Sequence, residues 1–236
     1  MRQGAGWPYY ARPVPGGPAP SEADIAAARE RQRSQHLPEA FEWIHDIAPE
    51  MLAVARRAGL KVLEAPLMVL RRGRWRTPEP PPGIAVRMLG PDDPALAPSQ
   101  AVARIGFGHP GTAPGAAGAA ERDAAALAVA PTELDFLRGQ IRDGLTAVVV
   151  AEDASGPVAS GSHQPVGAVT EITGVATLPS ARRRGLGALV TGRLVQDARE
   201  RGAELIFLSA GSEDIARVYA RLGFERVGTA CIAEPA

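Results

Sequence analysis

Seven consecutive residues, Arg182-Arg183-Arg184-Gly185-Leu186-Gly187-Ala188, stand between an apolar, β-branched run and an amphipathic helical pattern. At a helix start the first backbone N–H groups lack intrahelical partners, and the helix dipole adds partial positive charge there. Glycine lets a phosphate approach such a main chain closely, and flanking guanidinium groups add charge-assisted hydrogen bonds. The segment therefore reads as an anion cradle, although a turn with solvated charges fits the same residues taken alone. Two other phosphate-binding patterns fail. The dinucleotide fingerprint requires Gly or Ala where Val190 stands, and a P-loop requires Gly-Lys-Ser/Thr, a triplet this chain lacks. A second feature is Glu171, a carboxylate inside the apolar run, fourteen residues before Gly185. Apolar surroundings raise a carboxylate's pKa towards a value useful for taking a proton from an amine; a strand residue pointing to solvent is the alternative.

These residues depend on the elements around them. The pattern predicts a strand at 84–89, a helix at 94–105, a flexible Pro/Gly/Ala-rich loop at 110–120, and a helix within 122–141. A strand at 146–152, the turn Ser155-Gly156-Pro157 and a partner strand at 158–163 form a hairpin, and 168–178 is a further strand. In the helix at 187–201, Leu186, Val190, Leu194 and Ala198 share a stripe from which Arg193, Asp197 and Glu200 are excluded. Gly202 ends it, 205–208 is a buried strand, and Ser212 caps a helix whose stripe is Ile215, Val218, Tyr219 and Leu222. Gly223 stops that helix and 225–232 is the last strand. Hairpin strands followed by strand–helix–strand–helix–strand make a mixed α/β sheet.

The stretch 182–188 matches Arg/Gln-x-x-Gly-x-Gly/Ala, and Tyr219, Gly223 and Phe224 match the end of Asn-x-x-Ala-x-x-x-Tyr-x-x-x-Gly-Phe, with Ser212 and Ile215 in place of Asn and Ala. In this order and with these elements between them, the motifs resemble the GNAT N-acetyltransferase superfamily across roughly 84–236. The resemblance implies a mixed, mostly antiparallel GNAT-type sheet flanked by helices. It also implies acetyl-CoA as co-substrate, with main-chain groups of Ala176, Thr177 and Leu178 on the pantetheine. Arg182, Arg183, Arg184, Gly185, Leu186, Gly187 and Ala188 would lie on the pyrophosphate, with Ser212 nearby. Tyr219 would donate a proton to the departing thiolate, a phenol of pKa about 10 facing a thiol of about 8.5 to 9. Read from its own stripe, Tyr219 is equally a core residue. Some members of the family place a catalytic glutamate at the spacing of Glu171. The reaction so implied is direct attack of an unidentified amine on the thioester. A transferase using a longer acyl-CoA, or a regulatory module that binds acyl-CoA without catalysis, fits the same motifs. His163 and His109 read as solvated turn histidines, with a place lining the acceptor cleft as the alternative.

Composition narrows the classes. With 26 basic and 26 acidic residues the formal charge is zero, so no electrostatic capture of nucleic acid or an anionic membrane is expected. Cys231 is the only cysteine, which excludes an internal disulfide and a cysteine metal cluster, and no metal is expected. The N-terminus lacks an apolar segment of signal-peptide type and is rich in Pro and Gly, so a cytoplasmic protein is expected. A homodimer is left open.

The organisation expected is an irregular tail at 1–20 with Trp7, Tyr9 and Tyr10 as docking side chains, an α/β lobe at 21–76, a Pro-rich linker at 77–83, and the transferase domain at 84–236. Within the lobe, Ser21 caps a helix to Gln35, 41–45 is a strand, Pro49 opens a helix stopped by Gly59, and 61–70 is extended with an interruption at Pro66. Sliding the chain by 164 residues lays Phe41-Glu42-Trp43-Ile44 on Leu205-Ile206-Phe207-Leu208, and Val54, Arg57, Gly59 and Leu63 on Val218, Arg221, Gly223 and Val227. The lobe therefore reads as a degenerate second copy of half the fold, with an unrelated extension as the alternative. In that copy Ser21 and Ala23 replace the loop glycines and Ala55 replaces Tyr219, so it is expected to be non-catalytic.

Overall fold

A computed structural model describes residues 10–71, 73, 75 and 78–236; Trp7, Tyr9 and Thr77 lie outside them. The chain divides into two compact units, one made from 1–68 with 209–213 and 226–236, the other from 69–208 and 214–225. Among the described residues no helix is long and apolar enough to cross a membrane.

The first unit contains β1 (Tyr10–Ala11), α1 (Glu22–Ser34), β2 (Ala40–Ile44), α2 (Glu50–Arg57) and most of β3 (Leu60–Leu70). Its sheet runs β1-β2-β9-β3, where β9 (Phe224–Pro235) is the last strand of the chain. Tyr10 enters this sheet as a strand residue parallel to Ala40, so it does not dock from an irregular tail. β9 runs antiparallel to β2, which sets Trp43 opposite Cys231. Ile25, Phe41, Trp43, Met51, Val54, Leu60 and Cys231 close a core of their own, each large apolar side chain contributing about 1.5–3 kcal/mol by burial. Gly59 ends α2 at φ +76°, a left-handed conformation that favours glycine. The interruption expected at Pro66 does not occur. β3 runs through it, because proline lacks only the donor and its carbonyl still accepts from Ala210 N at 2.9 Å.

In the second unit the strands run β8-β7-β6-β5-β4. They are β4 (Ala85–Leu89), β5 (Ala147–Asp153), β6 (Gly156–Val166), β7 (Val169–Thr177) and β8 (Leu205–Ser209), the last reaching the first unit at Ser209. β7 and β8 are parallel, and the pairs among β4 to β7 are antiparallel. The helices are α3 (Leu96–Gly108), α4 (Ala119–Leu127), α5 (Pro131–Arg142), α6 (Leu186–Glu200) and α7 (Glu213–Arg221). The single helix expected within 122–141 is two helices: Pro131 forces Ala130 into an extended conformation and opens α5 at its first position. Val148 to Ala151 are buried without alternation, so β5 is covered on both faces.

Two glycines set how closely α6 can lie on the sheet. Between the pairs Ser160↔Ala176 and Ser162↔Thr173, β7 carries one residue more than β6, a β-bulge in which Gly174 sits at φ +66°. Opposite it, a Cβ on Gly161 would come within 2.8 Å of Val190 Cγ1 and 3.0 Å of Val175 Cγ2, so the helix packs onto a site that only glycine leaves open. One rung further along, His163 corrects the sequence reading: β6 continues to Val166, and the imidazole is fully buried. Its Nδ1 meets Thr170 Oγ1 and its Nε2 meets Asp197 Oδ2, each at 2.8 Å, while Arg201 Nε donates to the same carboxylate oxygen at 2.6 Å. Asp197, expected outside the apolar stripe, thus turns inward and ties α6 to β6 and β7. Burial holds His163 below its ordinary pKa against the pull of Asp197. Burial pushes the Asp197 carboxyl up, but its bonds from His163 and Arg201 outweigh that and leave it low.

The chain repeats one order of elements. Shifted by 164, α1, β2, α2 and β3 begin at 186, 204, 214 and 224; α6, β8, α7 and β9 begin at 186, 205, 213 and 224. Gly59 falls on Gly223, and both are left-handed.

Gly161→Ala should lower unfolding stability by about 1–3 kcal/mol through overpacking under α6, measured by urea denaturation. Because the folded pKa of His163 lies below the unfolded value of about 6.5, its contribution is complete above that pH and is lost as pH falls through the folded value. The urea midpoint of the wild type should therefore drop between pH 7 and about 5, and His163→Gln should flatten the drop. An equal slope in both proteins would contradict the assignment.

Candidate active site

The site begins where β7 loses one of its neighbours. β7 keeps pairing with β6 as far as Ala159↔Thr177. Among the described residues it pairs with β8 only over Val169↔Leu205, Thr170↔Ile206 and Glu171↔Phe207. Beyond Glu171 the two parallel strands no longer pair, so the β8-facing main chain of residues 172–176 has no ladder partner, and the Thr177 carbonyl accepts from Arg182 Nε at 3.4 Å. Unspent N–H and C=O groups of this kind bind an extended ligand as an added strand would.

The start of α6 meets that opening. A Cβ on Gly187 would lie 3.8 Å from Val175 Cγ1 and 3.9 Å from Thr177 Oγ1, so the first turn of the helix abuts the free end of β7. A 3-10 turn, Pro179–Ala181, leads from the strand into the loop. There Arg183 takes φ +67° and Gly185, the N-cap, takes φ +76°. A non-glycine residue held left-handed costs on the order of 1 kcal/mol, and such alternation turns successive amides into a concave nest for an anion. No side chain caps the helix at Gly185, which is exposed together with Arg183 and Arg184. Arg184 leans towards Asp153, 3.7 Å away.

The corresponding helix of the first unit is built the opposite way. Ser21 Oγ accepts from Asp24 N at 3.2 Å, and Asp24 Oδ2 accepts from Ser21 N at 2.8 Å. This capping box puts the protein's own oxygens on the amides that α6 leaves bare. The hydrogen bonds from Ser21 also hold the Asp24 carboxyl below the usual range.

Arg182 does not join its two neighbours. Its guanidinium donates to four main-chain carbonyls: Thr177 O at 3.4 Å, Ala113 O at 3.1 Å, Gly106 O at 3.0 Å and His109 O at 2.6 Å. The loop after α3, expected to be flexible, is stitched to the end of β7 by these bonds, by Gly115 N to Pro179 O at 3.1 Å and by Ser180 N to Ala117 O at 3.0 Å. α3 itself comes down on β7 at Gly106, where a Cβ would lie 2.8 Å from that of Ala176. His109 Nδ1 lies 2.9 Å from Ile105 O and stays at the surface, as a turn histidine.

Tyr219 is buried on α7, its ring edge-on to Phe224 with centroids 5.8 Å apart. Burial pushes its pKa up to about 12, slightly offset by a hydrogen bond with Thr191. Thr191 Oγ1 donates to Gly187 O at 2.7 Å, so its oxygen can accept the phenolic proton. The phenol is thereby connected through Thr191 to the first turn of α6. Glu171, half-buried, forms the last rung before the strands part, opposite Gln164 and Phe207. Since Thr170 faces the His163–Asp197 contact under α6, alternation projects Glu171 from the other face, the one on which α3 packs. Ser212 precedes the first residue of α7 and belongs to the first unit. The structure thus brings 174–178 and 183–188 together and links Tyr219 to them through Thr191. Thr191 and the Arg182 carbonyl set were missed by sequence reasoning. Gly174, a glycine inside a strand pattern, was a readable sign of the bulge.

The sequence profile of the acetyltransferase (GNAT) family matches residues 120–224. No curated protein matches the chain. Among solved structures, a GCN5-related N-acetyltransferase from Kribbella flavida is 25% identical, covers 96% of this chain and 78% of its own, and superposes with a TM-score of 0.61. A tandem GNAT protein from the clavulanic acid biosynthesis pathway is 16% identical over 89% of this chain and 68% of its own, with a TM-score of 0.58. A GCN5-related N-acetyltransferase from Sphaerobacter thermophilus, 18% identical over 86% of this chain and 62% of its own, has a TM-score of 0.56. The parted strands, the uncapped helix start and these likenesses together identify residues 120–224 as a GNAT acetyltransferase domain.

Proposed function

We propose that this protein is a cytoplasmic acetyl-CoA-dependent N-acetyltransferase in which an amine attacks the bound thioester directly, within a ternary complex. The observation that carries the proposal is the open N-terminus of α6 lying against the parted end of β7. The amides of 183–188 with the exposed guanidinium groups of Arg183 and Arg184 suit a pyrophosphate. The free edge of β7 up to Ala176 and the Thr177 amide suits the amide-bearing pantetheine arm, while the main chain of Leu178, expected to share that contact, already donates to Val158 O and accepts from Ala181 N, each at 2.9 Å. Donors on the same edge suit the oxyanion that forms as the amine adds to the carbonyl. The new C–N bond then replaces the C–S bond. Glu171 takes the proton of the amine, directly or through water, and Tyr219 supplies one to the departing thiolate. A phenol raised to about 12 stays protonated across the physiological range, so Tyr219 serves as a donor and not as a base. Orientation of the two substrates supplies much of the rate, since the chemistry needs no covalent enzyme intermediate.

One observation favours a second reading, a module that binds CoA without transferring the acyl group. The phenol of Tyr219 already has a partner in Thr191, and it must leave that partner to reach a thiolate.

Acetyl-CoA and free CoA at a hundredfold excess over their dissociation constants should each stabilise the protein by about 2.7 kcal/mol. The melting midpoint should rise by roughly 5–10 °C, with no shift from NAD. No shift with either CoA species would end both readings. In a thiol-release assay with a panel of primary amines, Tyr219→Phe should lower kcat about 10²-fold with little change in the KM for acetyl-CoA. Glu171→Gln should lower kcat at least tenfold. Turnover unchanged in both variants would remove these role assignments, and CoA binding without turnover of any amine by the wild type would favour the second reading.

A further inference from the structure

The first arginine of the 182–188 stretch is chemically suited to a phosphate but is spent elsewhere. Its guanidinium bonds to Gly106 O and His109 O at the end of α3, to Ala113 O in the following loop, and to Thr177 O at the end of β7. The main chain of Arg182 runs directly into Arg183 and Gly185, the two left-handed residues of the nest. Two further bonds, Gly115 N to Pro179 O and Ser180 N to Ala117 O, close the same seam. Glycines make the close approach possible. A Cβ on Gly118 would stand 2.8 Å from Ser180 Oγ, and one on Gly115 would stand 3.0 Å from Pro179 Cβ. One side chain therefore joins the anion nest to a loop on the α3 side of β7, the side from which Glu171 projects.

We infer that Arg182 is a positioning residue that couples occupancy of the nest to the order of the segment 106–118, the end of α3 and the loop that follows it. This deepens the transferase reading and rests on it. An anion held by the amides of 183–188 restrains the backbone from which Arg182 extends, and the restraint passes through its guanidinium to the loop carbonyls. The loop loses freedom with no change of fold, and the ordering cost for an amine arriving on that side falls. Lysine cannot substitute, because one ammonium group cannot reach carbonyls spread from Gly106 to Thr177 in the way a planar fork does. The coupling would favour amine binding after acetyl-CoA.

The experiment pairs hydrogen exchange, read on peptides covering 106–118, with calorimetric titration of acetyl-CoA. It uses the full-length wild type, Arg182→Lys, Arg182→Gln and the double variant Arg183→Gln/Arg184→Gln. In the wild type, saturating acetyl-CoA should slow exchange in 106–118 at least threefold. Both Arg182 variants should exchange about tenfold faster there without ligand, keep a dissociation constant for acetyl-CoA within threefold of wild type, and lose the ligand-dependent slowing. The double variant should do the reverse, binding acetyl-CoA at least tenfold more weakly with unchanged exchange in the free protein. Two results would overturn the inference: a tenfold loss of acetyl-CoA affinity on Arg182→Lys with loop exchange unaltered, which would make Arg182 a phosphate ligand, or ligand-dependent slowing that survives in both Arg182 variants. Failure of the wild type to bind acetyl-CoA would instead sink the transferase reading, while the exchange measured without ligand would still test the staple.

Discussion

β7 has one neighbour too few along its C-terminal half, and the second unit is organised around that deficit. A strand buried on both faces and paired on both edges offers nothing to a ligand. β7 leaves its parallel partner after Glu171↔Phe207 but stays on β6 to Thr177, so only one edge opens. The bulge at Gly174 bends the strand within that stretch, and unpaired main chain is tolerable there only if water or a ligand completes it. α6 can deliver its N-terminus to the opening because Gly161 lets the helix settle on the sheet. The buried His163–Asp197 contact then fixes the helix further along.

Helices α1 and α6 show how little separates a structural helix end from a binding one. Both begin at the same place in a repeated order of elements, and both present bare amides with partial positive charge. In α1, Ser21 and Asp24 bring oxygens onto those amides from within the chain. In α6 the N-cap is a left-handed glycine without a side chain, and the amides are left for something from outside. Substituting the capping residues converts a site that demands an anion into one that supplies its own. The exchange costs little, because a good cap contributes about 1 kcal/mol to its helix.

Charge around the nest is distributed by geometry and not by composition. Three adjacent arginines promise three cations for one anion, yet Arg182 meets four carbonyl oxygens at the seam with the α3 loop, leaving Arg183 and Arg184 exposed. The loop so held is rich in Pro, Gly and Ala, a composition that by itself indicates flexibility. It is ordered because its carbonyls found donors fixed in another part of the chain. The buried histidine is a parallel case: three more residues of β6 beyond His163 turn an expected surface imidazole into a core one.

Local physics was legible in the sequence. The period of Leu186, Val190, Leu194 and Ala198, the caps at Ser21 and Gly59, the glycine-rich helix start and the 164-residue self-overlay depend on neighbours a few positions away, or on a repeat that survives in the one-dimensional pattern. They determined most of the element types, the mixed sheet and the basic, glycine-rich helix start at 182–188. Tertiary structure alone decided where β7 leaves β8, that Asp197 turns inward to His163, that Tyr219 meets Thr191, and that Arg182 serves the loop after α3. Each of these pairs a group with a partner from 28 to 76 positions away, or depends on how far two strands stay in register. Such partners are selected by desolvation and packing once the whole sheet has formed, and the residue type at a single position carries no record of that choice.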